Sequence, residues 1–200
     1  MAVTKKQKKV VKQPLPSQKK APARKVMSTA KKAVAKPKAK PAGRDLQHEV
    51  EQFLYKQAQL LDTKNWQAFI DQFAADGVYW AAVDPDHTHW DGVPSIFTED
   101  RDLMTVRMKR VLHPNAASQE AEWGTSHIVS NVVIEKAAGD EVHVRSRFHM
   151  LEMRRNDLRH FAGTYRHQLK KTRDGWRITL QRVDMLNAQM PWEYVLQVWV

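Results

Sequence analysis

The chain has 200 residues, 33 Lys+Arg against 22 Asp+Glu, and a formal net charge of +11, a length that suits one domain of roughly 100–200 residues with something added. Residues 1–44 hold 15 of those bases and none of the acids, so residues 45–200 carry 18 bases against 22 acids, a net charge of −4, and offer phosphate no general attraction. Cysteine is absent, which excludes disulfides, a thiol nucleophile, Cys-ligated zinc and any iron–sulfur cluster held by this chain.

No run of about 18 apolar residues occurs, so no membrane span is predicted. The Lys-rich start lacks the apolar stretch of a secretory signal, and a cytoplasmic location is the expectation. Residues 1–44 contain five of the nine prolines and no aromatic residue. Such a segment cannot offset its ordering entropy and is predicted to be a disordered Lys/Ala/Pro-rich arm. It reads either as a polybasic arm touching nucleic acid or an acidic partner, or as a solubilising extension.

From Asp45 the pattern changes, and residues 45–200 read as the folded domain. Leu46, Val50, Phe53, Leu54, Gln57 and Leu61 recur at helical spacing. Asp62 is placed to cap a second helix carrying Trp66, Phe69, Ile70 and Phe73, which should stop at Asp76-Gly77. Val78–Val83 predicts a strand and Asp84–Ser95 a loop. Thr98 is placed to cap a third helix over Glu99–Leu112, ended by His113-Pro114.

The remainder is strand territory. Thr125–Glu135 alternates, and Ala137–Asp140 turns. Glu141–Met153 puts Val142, Val144, Ser146, Phe148 and Met150 on one face, with His143, Arg145, Arg147 and His149 on a wet or subunit-facing side. Arg159–Thr172 and Trp176–Leu186 flank the Asp174-Gly175 hairpin turn, and Trp192–Val200 is apolar on both faces. Helices followed by hairpins predict an α+β domain: about three helices on one face of a curved antiparallel sheet of about six strands.

Leu61-Asp62, Trp66 to Phe73, Asp76-Gly77 and Val78-Tyr79-Trp80 form an opening that resembles the cone-shaped nuclear-transport-factor-2-like (cystatin-like) fold. Four further blocks resemble the small (beta) subunit of aromatic-ring-hydroxylating dioxygenases. They are Phe97–Met104 with Arg107 and Arg110, Thr125–Val132, Phe161–Tyr165 with Leu169, and Asp174–Ile178 with Arg182. The basic arm has no counterpart in that pattern, and Asp184-Met185-Leu186 stands where the aspartate is expected after a leucine.

The resemblance implies a structural, non-catalytic subunit with no cofactor or metal of its own. Its partner is a large alpha subunit bearing a Rieske [2Fe-2S] cluster and a mononuclear Fe(II), commonly in a three-plus-three hexamer. The complex would use dioxygen and NAD(P)H-derived electrons, delivered through reductase and ferredoxin components, to cis-dihydroxylate an aromatic ring in the catabolism of aromatic compounds. A Rieske centre needs two cysteines and two histidines, which this chain cannot supply.

Candidate interface residues are Arg107 and Arg110 on one helical stripe, Arg145 and Arg147 on the polar strand face, and Trp192 and Trp199 near the end of the sequence, since aromatics and arginines are enriched in buried interfaces. Intrachain pairing of Arg107 and Arg110 with acids such as Asp100 and Asp102, or a plain core role for the tryptophans, is the competing reading. Asp84–Asp91 contains His87 and His89 and has a metal-like composition, although it equally suits a polar connection. An alternative function, a stand-alone cone-fold lyase or isomerase, would use His127 as general acid/base with Tyr79, Asp71 or Asp184 across a pocket.

Overall fold

The computed structural model describes residues 42–115, 123–192 and 195–200, with side chains from Asp45 onward. Nearly all of the 1–44 arm lies outside the described residues, and so does the expectation of its disorder. Three helices, α1 (Ala42–Asp62), α2 (Trp66–Ile70) and α3 (Arg101–Val111), accompany six strands. The strands are β1 (Phe73–Ala82), β2 (Ser95–Glu99), β3 (Trp123–Ala138), β4 (Glu141–Arg154), β5 (Asp157–Thr172) and β6 (Gly175–Met185).

The sheet order is β2-β1-β6-β5-β4-β3. Four of its junctions are antiparallel, whereas β1 and β6 run parallel, so the sheet is mixed rather than wholly antiparallel as expected. The helical stripe of α1 buries Val50, Leu54, Ala58 and Leu61 against the sheet. On β4, Val142, Val144, Ser146, Phe148 and Met150 are all buried on the helix side, as their alternation requires. Trp80, Val78 and Ala82 form a second, smaller cluster on the other face of β1, with Trp90 and Val93 from the following loop.

Two local expectations are corrected at the start of the sheet. Asp62 is the last residue of α1 and does not cap α2, whose N-cap is Asn65 without a side-chain bond. Phe73 lies in β1, and Asp76-Gly77 falls in an irregular stretch where the register shifts between Phe73↔Ile178 and Val78↔Leu180. A Cβ at Gly77 would come within 2.5 Å of the Ile178 carbonyl oxygen; glycine is needed there for close backbone approach, not for a turn. Phe73 is buried, as its helical spacing suggested, yet from a strand.

Ser95–Glu99 forms an edge strand on β1 where a loop and helix start were expected, and the cap of α3 is Asp100, not Thr98. The Asp100 carboxylate accepts from Leu103 N at 2.9 Å. In β3 an extra residue sits between Ser130↔Arg147 and Val133↔Arg145, with Asn131 at φ 52. This bulge reverses the alternation. Before it Val129 packs against the core, and after it Val132 and Ile134 do. Residues 195–200 make no strand, but Leu196, Val198, Trp199 and Val200 are buried in the main core.

Candidate functional site

The space between α1 and the sheet is polar in a specific way. The end of α1 brings Asp62 to the first turn of the β3 ladder, where Thr125 and His127 face the same side because strand residues two apart do. Asp62 Oδ1 accepts from Thr125 Oγ1 at 3.0 Å and lies 2.6 Å from His127 Nδ1, while Oδ2 accepts the His127 backbone N–H at 2.9 Å. Burial pushes the Asp62 carboxyl up, but the His127 side-chain and backbone bonds, the His127 charge and the Thr125 hydroxyl outweigh it, and the group stays below the ordinary 3.8.

Asp62 thus orients the imidazole as a catalytic carboxylate would, leaving Nε2 without a hydrogen-bond partner among the described residues. The His127 side chain is only 1% exposed, however, and the supposed companions lie elsewhere. Tyr79 is buried and its hydroxyl is bonded to Val200 N and O, each at 3.1 Å. Asp184 sits on the opposite face of the sheet, 2.7 Å from Arg182 Nε, and Arg182 lies over the Trp80 ring. Asp71 is exposed and pairs with Arg101 at 3.2 Å. Proton transfer across a shared pocket needs these groups within reach of one another. Among the described residues none of the three is hydrogen-bonded to His127; Asp62, whose place in the sequence suits a helix cap, is the companion it has.

Also between α1 and the sheet, His167 Nε2 lies 3.2 Å from Gln57 Oε1, and Gln57 Nε2 donates to Gln181 Oε1 at 2.8 Å. Burial drives the His167 imidazole down to about 3, against a smaller upward pull from the Gln181 bond, so it is neutral at physiological pH.

A second buried cluster ties α3, β2 and the segment 195–200 together. Arg107 donates through Nε to Glu99 Oε1 at 2.7 Å and through its terminal nitrogen to the same carboxylate, and Trp199 Nε1 donates to Glu99 Oε2 at 3.0 Å. The Arg107 guanidinium stacks 3.8 Å over Phe97. Arg107 and Trp199 are therefore both bonded inside the chain, and the Arg107 partner is Glu99, not Asp100 or Asp102. Trp192 donates to Asn187 O at 3.2 Å and packs edge-on against Phe161, half-buried.

The face of the sheet away from the helices is charged at one end and apolar at the other. Glu135 bridges Arg145 at 2.6 Å and Arg166 at 3.9 Å, and Arg166 reaches Asp184 at 3.4 Å. Arg147 donates to Thr164 Oγ1 at 2.8 Å. Toward the Met153 end the same face shows Ile128 at 62% and Leu158 at 67% exposure, with Leu151 and Met153 between them and the His149–His160 pair at 2.9 Å beside them. Ile128 and Leu158 come singly from β3 and β5, and Leu151 and Met153 continue the polar face of β4, so no single segment announces this apolar patch.

The Asp84–Asp91 loop folds on itself: Asp86 N donates to Asp84 Oδ1, Asp91 N donates to His89 Nδ1, and the His87 and Pro85 carbonyls accept from Arg182. Among the described residues no three His, Asp or Glu side chains converge in a way that would hold a metal ion. No helix among them is long and apolar enough to cross a membrane.

A family model described as "Ring hydroxylating beta subunit" matches residues 56–191. The chain belongs to that family. It is similar to the anthranilate 1,2-dioxygenase small subunit of Acinetobacter baylyi, 30% identical over 73% of this chain and 93% of that one. It is also similar to the chlorobenzene dioxygenase subunit beta of a Cupriavidus species, 30% identical over 70% and 82%. Among solved structures, the beta subunit of a benzoate 1,2-dioxygenase from Burkholderia mallei superposes with a TM-score of 0.61 at 27% identity, covering 74% of this chain and 96% of that one. As a beta subunit the chain is the small component of a ring-hydroxylating dioxygenase, an oxidoreductase complex, and its fold is the nuclear-transport-factor-2-like cone.

Proposed function

We propose that this beta subunit is scaffolding with no redox step of its own. It would join an iron-bearing alpha subunit, in a three-plus-three hexamer in the cytoplasm, whose Rieske cluster and mononuclear iron receive NAD(P)H-derived electrons through reductase and ferredoxin components. The reaction of the assembly is cis-dihydroxylation of an aromatic ring. The observation that carries this reading is a chain of the family without a single cysteine, when a Rieske centre requires two.

Two features support the assembly role. The apolar end of the open sheet face exposes large side chains that a partner would cover, and Arg145 and Arg147 lie beside it as candidate contacts. The histidine that a stand-alone lyase or isomerase would use is enclosed, with Tyr79 and Asp184 engaged elsewhere.

The test is to purify the full chain alone and then co-expressed with a large subunit bearing Cys-X-His and Cys-X-X-His pairs, measuring iron, labile sulfide and ring oxidation in each. Iron, sulfide and turnover confined to the co-expressed material are expected. Iron–sulfur content or turnover in the chain alone would overturn the proposal.

A further inference from the structure

Between α3, β2 and the segment 195–200 lies an open groove of about 600 Å³, within the usual range of small-molecule sites. Its lining includes the apolar side chains of Ile96, Val106 and Leu196 and the Arg107 guanidinium stacked on Phe97. Val106 and Arg110 are four residues apart on α3, so the helix presents an apolar side chain and a cation to the same groove.

The described residues leave an excess of positive charge here. Arg107 is neutralised by Glu99. Lys109 and Arg110, also on the groove lining, pair with no carboxylate among the described residues. Among the described residues, the Glu99 carboxylate that pairs with Arg107 is also engaged by Trp199. Two cations that pair with no carboxylate among the described residues, beside apolar side chains, suit a small anion with an apolar body.

We propose that this groove binds a one- or two-ring aromatic monocarboxylate, the ring against Ile96, Val106 and Leu196 and the carboxylate on Arg110 and Lys109. The site is separate from the His127 interior and from the open sheet face, and it does not rest on the proposed assembly role.

Calorimetric titration of the full chain with 2-naphthoate, and with 2-naphthylmethanol as the neutral counterpart, tests it. One saturable site is expected, with the alcohol at least about tenfold weaker, as loss of charge-assisted hydrogen bonds implies. The double variant Lys109→Gln/Arg110→Gln, both surface positions, should bring the acid down to the alcohol's affinity at an unchanged melting temperature. Val106→Trp should abolish binding of both by filling the groove. Absence of saturable binding, equal affinity for acid and alcohol, or an undiminished affinity in the double variant would each overturn the proposal.

Discussion

Asp62 and His127 clamp the end of α1 to the start of β3, with Oδ1 2.6 Å from the imidazole Nδ1 and Oδ2 2.9 Å from the backbone nitrogen of the same histidine. Removing the carboxylate strands two buried donors. Asp62→Ala is expected to cost about 3 kcal/mol of unfolding free energy in urea, with Asp62→Asn intermediate. A loss below about 0.5 kcal/mol would mean the clamp contributes nothing.

The same carboxylate makes stability fall in acid. Its folded-state value lies below the unfolded 3.8, so its contribution is complete above about pH 4 and is lost as pH falls through the depressed folded value. His167 acts over a different window. Its imidazole titrates at about 3 in the folded chain against 6.5 unfolded, so the unfolded state binds the extra proton between these values. Stability should decline below pH 6.5, approaching about 1.4 kcal/mol per pH unit from this residue alone. His167→Gln should flatten the slope between pH 6 and 4.5, as read from urea midpoints. A variant with the parent slope would contradict the buried neutral imidazole.

Glu99 and Arg107 are a mostly enclosed ion pair, at 9% and 16% side-chain exposure. Removing one partner leaves a poorly solvated charge, so Arg107→Met should destabilise the chain by about 3 kcal/mol. The double variant Glu99→Gln/Arg107→Met should recover a substantial part of that loss. For the same reason Arg107→Glu will report on folding before it reports on assembly. Additive losses in the double-mutant cycle would show the pair to be uncoupled.

Gly163 faces Phe148 where β5 meets β6. A Cβ there would fall well inside contact distance of the Asp184 carbonyl oxygen and 2.9 Å from Phe148 Cε1. Backbone cannot give way cheaply, so Gly163→Ala should cost about 3 kcal/mol or block folding. Gly124, in β3 with nothing within 4 Å of its would-be Cβ, is the control, and Gly124→Ala should stay within about 0.5 kcal/mol.

Much of this architecture is legible in the residues themselves. The α1 stripe and the strict alternation of β4 are local patterns, and local patterns survive folding. What escaped is non-local. Ser95–Glu99 is a strand because β1 pairs with it, and nothing within five residues announces that partner. The parallel β1–β6 junction joins segments about a hundred residues apart. Phe73 satisfied a helical spacing and is buried, yet its position is decided by the Ile178 ladder. At the site, His127 was visible as a lone titratable group in a strand, while its partner looked like a helix cap because Asp62 stands before a second helical stripe. Arg107 found Glu99 eight residues back, across a strand-to-helix turn that helical spacing alone does not describe.

The most direct measurement is the mass, iron content and ring-oxidising activity of what co-purifies with the tagged full chain when it is expressed beside the Cys/His-bearing large subunit. A stable heteromer of the two chains, with iron and activity present only in that heteromer, is the expected result. A tagged chain that elutes alone, and turns over an aromatic substrate without the large subunit, would contradict a purely structural role.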